Sequence, residues 1–125
     1  MIRVLRVAEL AVATLALACV ASAVAAGTEF PPPQGKGPLV VVASGMSGSA
    51  HYETAARAIA GMGYDVMLFD GRTMEGTHGD GLVSAIREAQ ASPHALPGKV
   101  ALVGFSLGGG IVLFYGTQQP ELSVG

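Results

Sequence analysis

Lys99–Gly116 reads KVALVGFSLGGGIVLFYG. An apolar, β-branched run enters a serine flanked by glycines, and an apolar run long enough for a helix leaves it. Gly104-Phe105-Ser106-Leu107-Gly108 matches Gly-x-Ser-x-Gly and stands between a strand and a helix, the setting in which that pattern carries chemistry. The chain must turn sharply there. Side chains two residues before and after the serine would crowd the turn, so Gly104 and Gly108 leave room for the elbow. The Ser106 hydroxyl is then the candidate nucleophile at the top of the sheet. The positive end of the following helix points at it, and the Leu107 N–H can donate to a developing oxyanion. A dinucleotide fingerprint fails because it needs glycine where Ser106 stands. A phosphate loop fails because Ile111, not Lys-Ser or Lys-Thr, follows the glycines. The bland reading of the same residues is tight helix–strand packing.

Upstream, the chain alternates. Leu39–Ala43 is a continuous apolar run of the kind that forms a strand buried on both faces. Tyr52–Gly63 has helical spacing, with Ala55, Ile59 and Met62 on one side, Glu53 and Arg57 on the other, and Gly63 as a stop. Tyr64–Asp70 is a second strand. Asp80–Ser92 is a second helix, with Leu82, Val83, Ile86 and Ala89 on one face, and Lys99–Phe105 is the third strand. Strand, helix, strand, helix, strand, helix predicts an α/β fold: a three-layer parallel sheet with crossover helices. Ligand chemistry in such folds gathers at the carboxyl ends of the strands. Three loops sit there: Ser44–Ala50, Asp70–Gly79 and Phe105–Gly108. In the first, the Met46 N–H just after Gly45 is placed to act as a second oxyanion donor; a plain glycine turn accounts for the same residues equally well.

The N-terminus has a different composition. Arg3 and Arg6 precede an apolar stretch, Leu10–Val20, too short for a comfortable membrane span. Ala23-Val24-Ala25 and Val24-Ala25-Ala26 are small-residue cleavage sites, so residues 1–26 read as a secretory signal peptide and the protein as exported, periplasmic or extracellular. Lipid attachment at Cys19 is disfavoured, because no leucine stands three residues before it and a better cleavage site lies downstream. Removal of 1–26 leaves no cysteine, hence no disulfide framework and no thiolate nucleophile. Residues 27–38, with Pro31-Pro32-Pro33, read as an exposed Pro/Gly linker, and 39–125 as the folded domain. Lysines and arginines are scattered singly, which removes nucleic acid as a partner.

Taken together, Leu39–Gly116 resembles the N-terminal half of an α/β-hydrolase, and most of all the dienelactone hydrolase group. Gly104-Phe105-Ser106-Leu107-Gly108-Gly109 and the strand ending at Asp70 carry the likeness most specifically. The resemblance implies Ser106 as nucleophile, Met46 and Leu107 as oxyanion donors, a small carboxylic ester or lactone as substrate, and neither metal nor organic cofactor. Two residues depart from the pattern. Many dienelactone hydrolases carry cysteine where Ser106 stands, which points to the related serine esterases. The first loop reads Ser44-Gly45 rather than His-Gly, which puts a supporting contact of that loop in doubt.

A serine hydroxyl needs a base to take its proton. In this fold the acid and then the histidine follow the serine in chain order. Among the residues after Ser106 there is one acid, Glu121, and no histidine; His51, His78 and His94 all precede it. The expectation is a hydrolase domain incomplete at the C-terminus, a fragment with an exposed sheet edge and helix face. The alternative is a degenerate hydrolase acting as a binding or interaction module.

Overall fold

The computed structural model of the protein describes residues 26–124; the signal-peptide reading therefore lies outside the described residues except for Ala26. Within them the elements run β1 (Thr28–Phe30), β2 (Leu39–Ala43), α1 (Glu53–Gly61), β3 (Asp65–Phe69), α2 (Asp80–Gln90), β4 (Val100–Gly104), α3 (Leu107–Gly116) and β5 (Ser123–Val124). The sheet order is β1-β3-β2-β4-β5. β2 pairs in parallel with β3 (Val41 opposite Met67) and with β4 (Val41 opposite Leu102). The order arises because each apolar strand is followed by an amphipathic helix that must recross the sheet before the next parallel strand can pair.

Both faces of β2 and β3 are covered, which is why these strands are apolar at every position but Asp65. Val40, Val42, Val66 and Leu68 pack with Phe30 against Ala56 and Ala60 of α1. Leu39, Val41, Ala43, Met67 and Phe69 pack on the opposite face against Leu82, Ala85, Ile86 and Ala89 of α2 and Ile111 of α3. The result is the expected three layers. The face of α1 is rotated from its sequence-based assignment: Ala56 and Ala60 are buried, whereas Met62 is 68 % exposed. Small residues let the helix lie close on the sheet. Met62 stands beyond the helix end, where Gly63, with φ of 102°, turns the chain.

Residues 27–38 are not a free lead-in. Thr28–Phe30 form an antiparallel edge strand on β3, with Thr28 opposite Leu68 and Phe30 opposite Val66. Phe30 is buried, and the Arg57 guanidinium lies 4.9 Å from its ring centroid. Further on, the Gly37 N–H donates to the His94 carbonyl at 2.9 Å, and the Leu96 N–H donates to the Gly37 carbonyl at 2.9 Å. Three residues are too few to show alternation, and the prolines beside them dominate the local pattern. β1 stops where Pro31 removes the next donor. At the other edge β5 pairs with β4 only at Val100 and Ala101, leaving Leu102–Gly104 open. Leu113 and Phe114 of α3 are 73 % and 65 % exposed beside that edge.

The amino ends of the strands hold a polar cluster. Ser92 Oγ donates to Glu29 Oε1 at 2.6 Å, and His94 Nδ1 lies 2.9 Å from the same oxygen. Asp65 is fully buried beside them, and neither of its carboxyl oxygens has a hydrogen-bond partner. Burial pushes the Asp65 carboxyl up; the Ser92 hydroxyl pulls it back, and the neighbouring Glu29 pushes it further up. Burial also pushes Glu29 up, but the hydrogen bonds from Ser92 and His94 outweigh it and leave Glu29 below its ordinary value. A group with a raised folded-state pKa stabilises the fold most below its unfolded value and loses that contribution as pH rises through the folded one. Asp65 therefore weakens the fold on the alkaline side, while Glu29 weakens it as pH falls through its lowered value. Asp65→Asn is expected to raise stability near neutral pH by about 1–3 kcal/mol. The gain should shrink toward pH 4, as followed by thermal melts across a pH series.

Candidate active site at the strand-to-helix elbow

The carboxyl ends of β2, β3 and β4 meet without side chains between them. A Cβ on Gly108 would lie 2.1 Å from the Ala43 carbonyl oxygen, and one on Gly104 would lie 2.3 Å from the Gly108 carbonyl oxygen. A Cβ on Gly71 would lie 2.1 Å from the Ser44 carbonyl oxygen. The N-terminus of α3 is thus seated on the end of β2, and the Phe105 N–H donates to the Ala43 carbonyl at 3.0 Å.

Ser106 occupies the bend with φ 51° and ψ −113°, a positive-φ conformation that a non-glycine residue adopts only at a cost of order 1–3 kcal/mol. It precedes α3 in the position where serine ordinarily caps a helix, yet its hydroxyl makes no capping bond and the side chain is exposed. The Gly110 N–H donates to the Ser106 carbonyl at 3.1 Å, closing the first helical turn, and the Gly108 N–H donates to the Phe105 carbonyl at 2.9 Å. Leu107, first residue of α3, carries one of the N–H groups that a helix start leaves without an intrahelical acceptor.

The first loop abuts the elbow. Gly45 and Gly48 close a tight turn, the Gly48 N–H donating to the Gly45 carbonyl at 3.1 Å, with Met46 and Ser47 at its centre. Met46 is 60 % exposed, and its N–H takes no part in that turn bond. A Cβ on Gly45 would be 3.2 Å from Ser106 Cβ, so the loop that carries Met46 touches the serine directly.

Ser44, where the resemblance expects histidine, is fully buried and supplies a contact of its own. Its hydroxyl accepts the Gly71 N–H at 3.1 Å and donates to the Gly45 carbonyl at 3.2 Å. The Ser44 N–H donates to the Phe69 carbonyl at 3.0 Å. This pins the first loop to the turn after β3. There Asp70 accepts the Arg72 backbone N–H at 3.0 Å and the Arg72 Nε–H at 3.0 and 3.1 Å to its two oxygens. The Arg72 guanidinium holds the Asp70 carboxyl below its ordinary value. It also lies over Gly48, whose missing side chain gives it room.

The histidines do not gather at Ser106. His94 is held by Glu29 at the amino ends of the strands, as its place in the sequence implies. His51 is exposed in a short 3-10 helix, Ser49–Tyr52, and His78 is exposed with φ of 53° in the loop before α2. Among the described residues no side chain hydrogen-bonds to the Ser106 hydroxyl, and no group of three or more His, Cys, Asp or Glu is disposed to hold a metal ion. No helix of the described residues is long and apolar enough to cross a membrane. Sequence reasoning passed over Tyr52 and Arg72. Arg72 had a signal, an Asp-Gly-Arg turn directly after a strand; Tyr52 had none beyond its place at the start of a helix.

Against solved structures, the chain is similar to the crystal structure of a dienelactone hydrolase-like promiscuous phosphotriesterase from metagenomic libraries. The TM-score is 0.61 at 21 % identity, with 78 % of this chain and 56 % of that one covered. The fold is thus that of a dienelactone hydrolase-like α/β-hydrolase. The chain spans just over half the length of that solved neighbour. No protein-family model and no curated protein matches the sequence.

The contact geometry sorts the glycines of the elbow. Gly108→Ala is expected to cost about 3 kcal/mol or more, because backbone cannot yield at 2.1 Å. Gly110→Ala, where a Cβ meets nothing within 4 Å, should stabilise α3 by about 1 kcal/mol. Denaturant titration of the two variants measures both.

Proposed function

We propose that this chain carries the nucleophile and the oxyanion donors of an exported serine hydrolase of dienelactone hydrolase type, acting on carboxylic ester or lactone bonds. One observation carries the reading: Ser106 is held strained and exposed at the head of a helix it does not cap, in a fold shared with a dienelactone hydrolase-like enzyme. In this reading Ser106 Oγ attacks the carbonyl carbon and the carbonyl π pair moves onto oxygen. The Met46 and Leu107 N–H groups receive that charge, helped by the positive end of α3. Gly104 and Gly108 allow the close approach that the elbow needs. No described residue is assigned as the general base that takes the serine proton; His51, His78 and His94 are not assigned to it. The solved neighbour is described as a phosphotriesterase, which adds phosphotriesters as a second class of electrophile to try.

Export is supported by the pattern of residues 1–26. A Cβ on Gly27 would lie 2.7 Å from Met67 Cγ and from Phe69 Cζ, so Gly27 is fitted to the sheet, directly after the cleavage site ending at Ala26. Mass spectrometry of the mature protein from its native host is expected to show Gly27 as the first residue; a retained leader would overturn the export reading.

The test of the activity uses the protein at its natural length. Hydrolysis of p-nitrophenyl butyrate should fall by at least about 10³-fold in Ser106→Ala, with the thermal melt unchanged because the exposed hydroxyl makes no hydrogen bond and alanine keeps the same backbone. Turnover that survives Ser106→Ala would sink this reading and favour a different site.

A further inference from the structure

Tyr52 closes the first loop over the elbow. Its ring stacks on Phe105, the residue before Ser106, with centroids 4.7 Å apart and planes 30° apart. The ring is half-buried and packs against the core beneath α1. Its hydroxyl lies on the open side of Gly45: a Cβ added there would be 2.6 Å from Tyr52 Oη, 3.1 Å from the Phe105 carbonyl oxygen and 3.2 Å from Ser106 Cβ. The phenol oxygen and the Ser106 Cβ therefore border the same space beside a residue with no side chain. Any larger residue at position 45 would fill the gap between them.

The hydroxyl is also lightly held. Ser47 Oγ lies 3.4 Å from the Tyr52 oxygen, a long, exposed contact that either hydroxyl can donate, so the phenolic proton can turn to a stronger acceptor. Among the described residues no other hydrogen bond involves that hydroxyl. A phenylalanine would serve the stack on Phe105 equally well, so packing alone does not account for the oxygen. A donor fixed by a stacked ring, facing the nucleophile from the side of the Met46 loop, is preorganised for charge that develops only during reaction.

We propose that Tyr52 donates a third hydrogen bond to the oxyanion formed at Ser106, alongside the Met46 and Leu107 N–H groups. This rests on the hydrolase reading above. In the attacking step the Ser106 Oγ–C bond forms, the carbonyl π pair becomes an oxygen lone pair, and the serine proton passes to the general base. Tyr52 keeps its own proton and contributes only the hydrogen bond. When the intermediate collapses, the C–O bond to the leaving group breaks and the protonated base returns the proton to the departing oxygen. The bond from Tyr52 then weakens as the carbonyl re-forms.

The experiment compares wild type, Tyr52→Phe and Ser106→Ala at the protein's natural length. The probes are p-nitrophenyl butyrate and an aryl trifluoromethyl ketone, which adds to a serine hydroxyl as a hemiketal oxyanion. Tyr52→Phe should keep its thermal melt and lower kcat roughly 10–100-fold with KM nearly unchanged, less than the 10²–10³ that loss of a principal oxyanion donor costs. It should weaken ketone binding by a similar factor. A merely structural tyrosine would not move the ketone affinity in step with kcat. If Tyr52→Phe matches wild type in both while Ser106→Ala is inert, the role of Tyr52 is overturned and the hydrolase reading stands. If wild type is inert, or Ser106→Ala stays active, the hydrolase reading falls and this inference falls with it. Should Tyr52→Phe lose the fold, 3-fluorotyrosine at position 52 keeps the ring and strengthens the donor. Tighter ketone binding is then expected, and unchanged binding overturns the role.

Discussion

Backbone meets backbone at the carboxyl ends of β2, β3 and β4, and the rest of the site depends on that contact. Gly104, Gly108 and Gly71 each stand where a Cβ would fall within 2.3 Å of a carbonyl oxygen. Their absence of side chain lets α3 start directly on the end of β2 and lets the turn after β3 close against Ser44. Distance sets the chemistry here. With α3 one side chain further away, the Ser106 hydroxyl would leave the neighbourhood of Gly45, and the positive end of the helix would lose its target. The same glycines contribute nothing to the apolar core. Their value lies wholly in closeness, which is why replacing them costs more than their size suggests.

The two ends of the sheet divide the polar work. At the carboxyl end, Ser44, Asp70 and Arg72 tie two loops together by hydrogen bonds that are all satisfied. At the amino end, Glu29, Ser92 and His94 satisfy one another, while Asp65 sits among them with its oxygens unpaired. Burying a carboxyl that way costs the fold more once the group loses its proton. The cluster nonetheless fastens β1 and the 92–94 loop to the sheet edge. His94 is occupied in that fastening, far from Ser106 in the topology. A histidine in the sequence is therefore not a histidine at the site.

Most of the architecture was legible because burial on both faces forces a strong signal. Leu39–Ala43 and Asp65–Phe69 are apolar enough to be read as central strands, and the glycine pattern around Ser106 shows where the elbow stands. The edges were not legible. Thr28–Phe30 is too short to alternate, and Ser123–Val124 has only two residues to show. The face of α1 was misplaced because alanines, not its larger Met62, make the contact. At the site, Ser106, Gly104 and Gly108 follow from local pattern alone. Ser44 and Tyr52 do not, because their partners, Gly71 and Phe105, lie far along the chain on other elements. Contacts of that kind exist only after the crossovers have formed.

Ser106 conflicts with its own local preferences. Serine at the head of a helix normally gives its oxygen to the first free N–H groups, and a non-glycine residue normally avoids positive φ. Both preferences are refused at one residue, while the neighbouring glycines could have taken the strained position at no cost. Packing does not explain the choice, since the side chain is exposed. Local and global preference agree through most of the chain, in β2, β3, α2 and the turn at Gly63. A disagreement confined to one exposed hydroxyl, beside the Met46 loop and the start of α3, is the feature on which the proposed nucleophile rests.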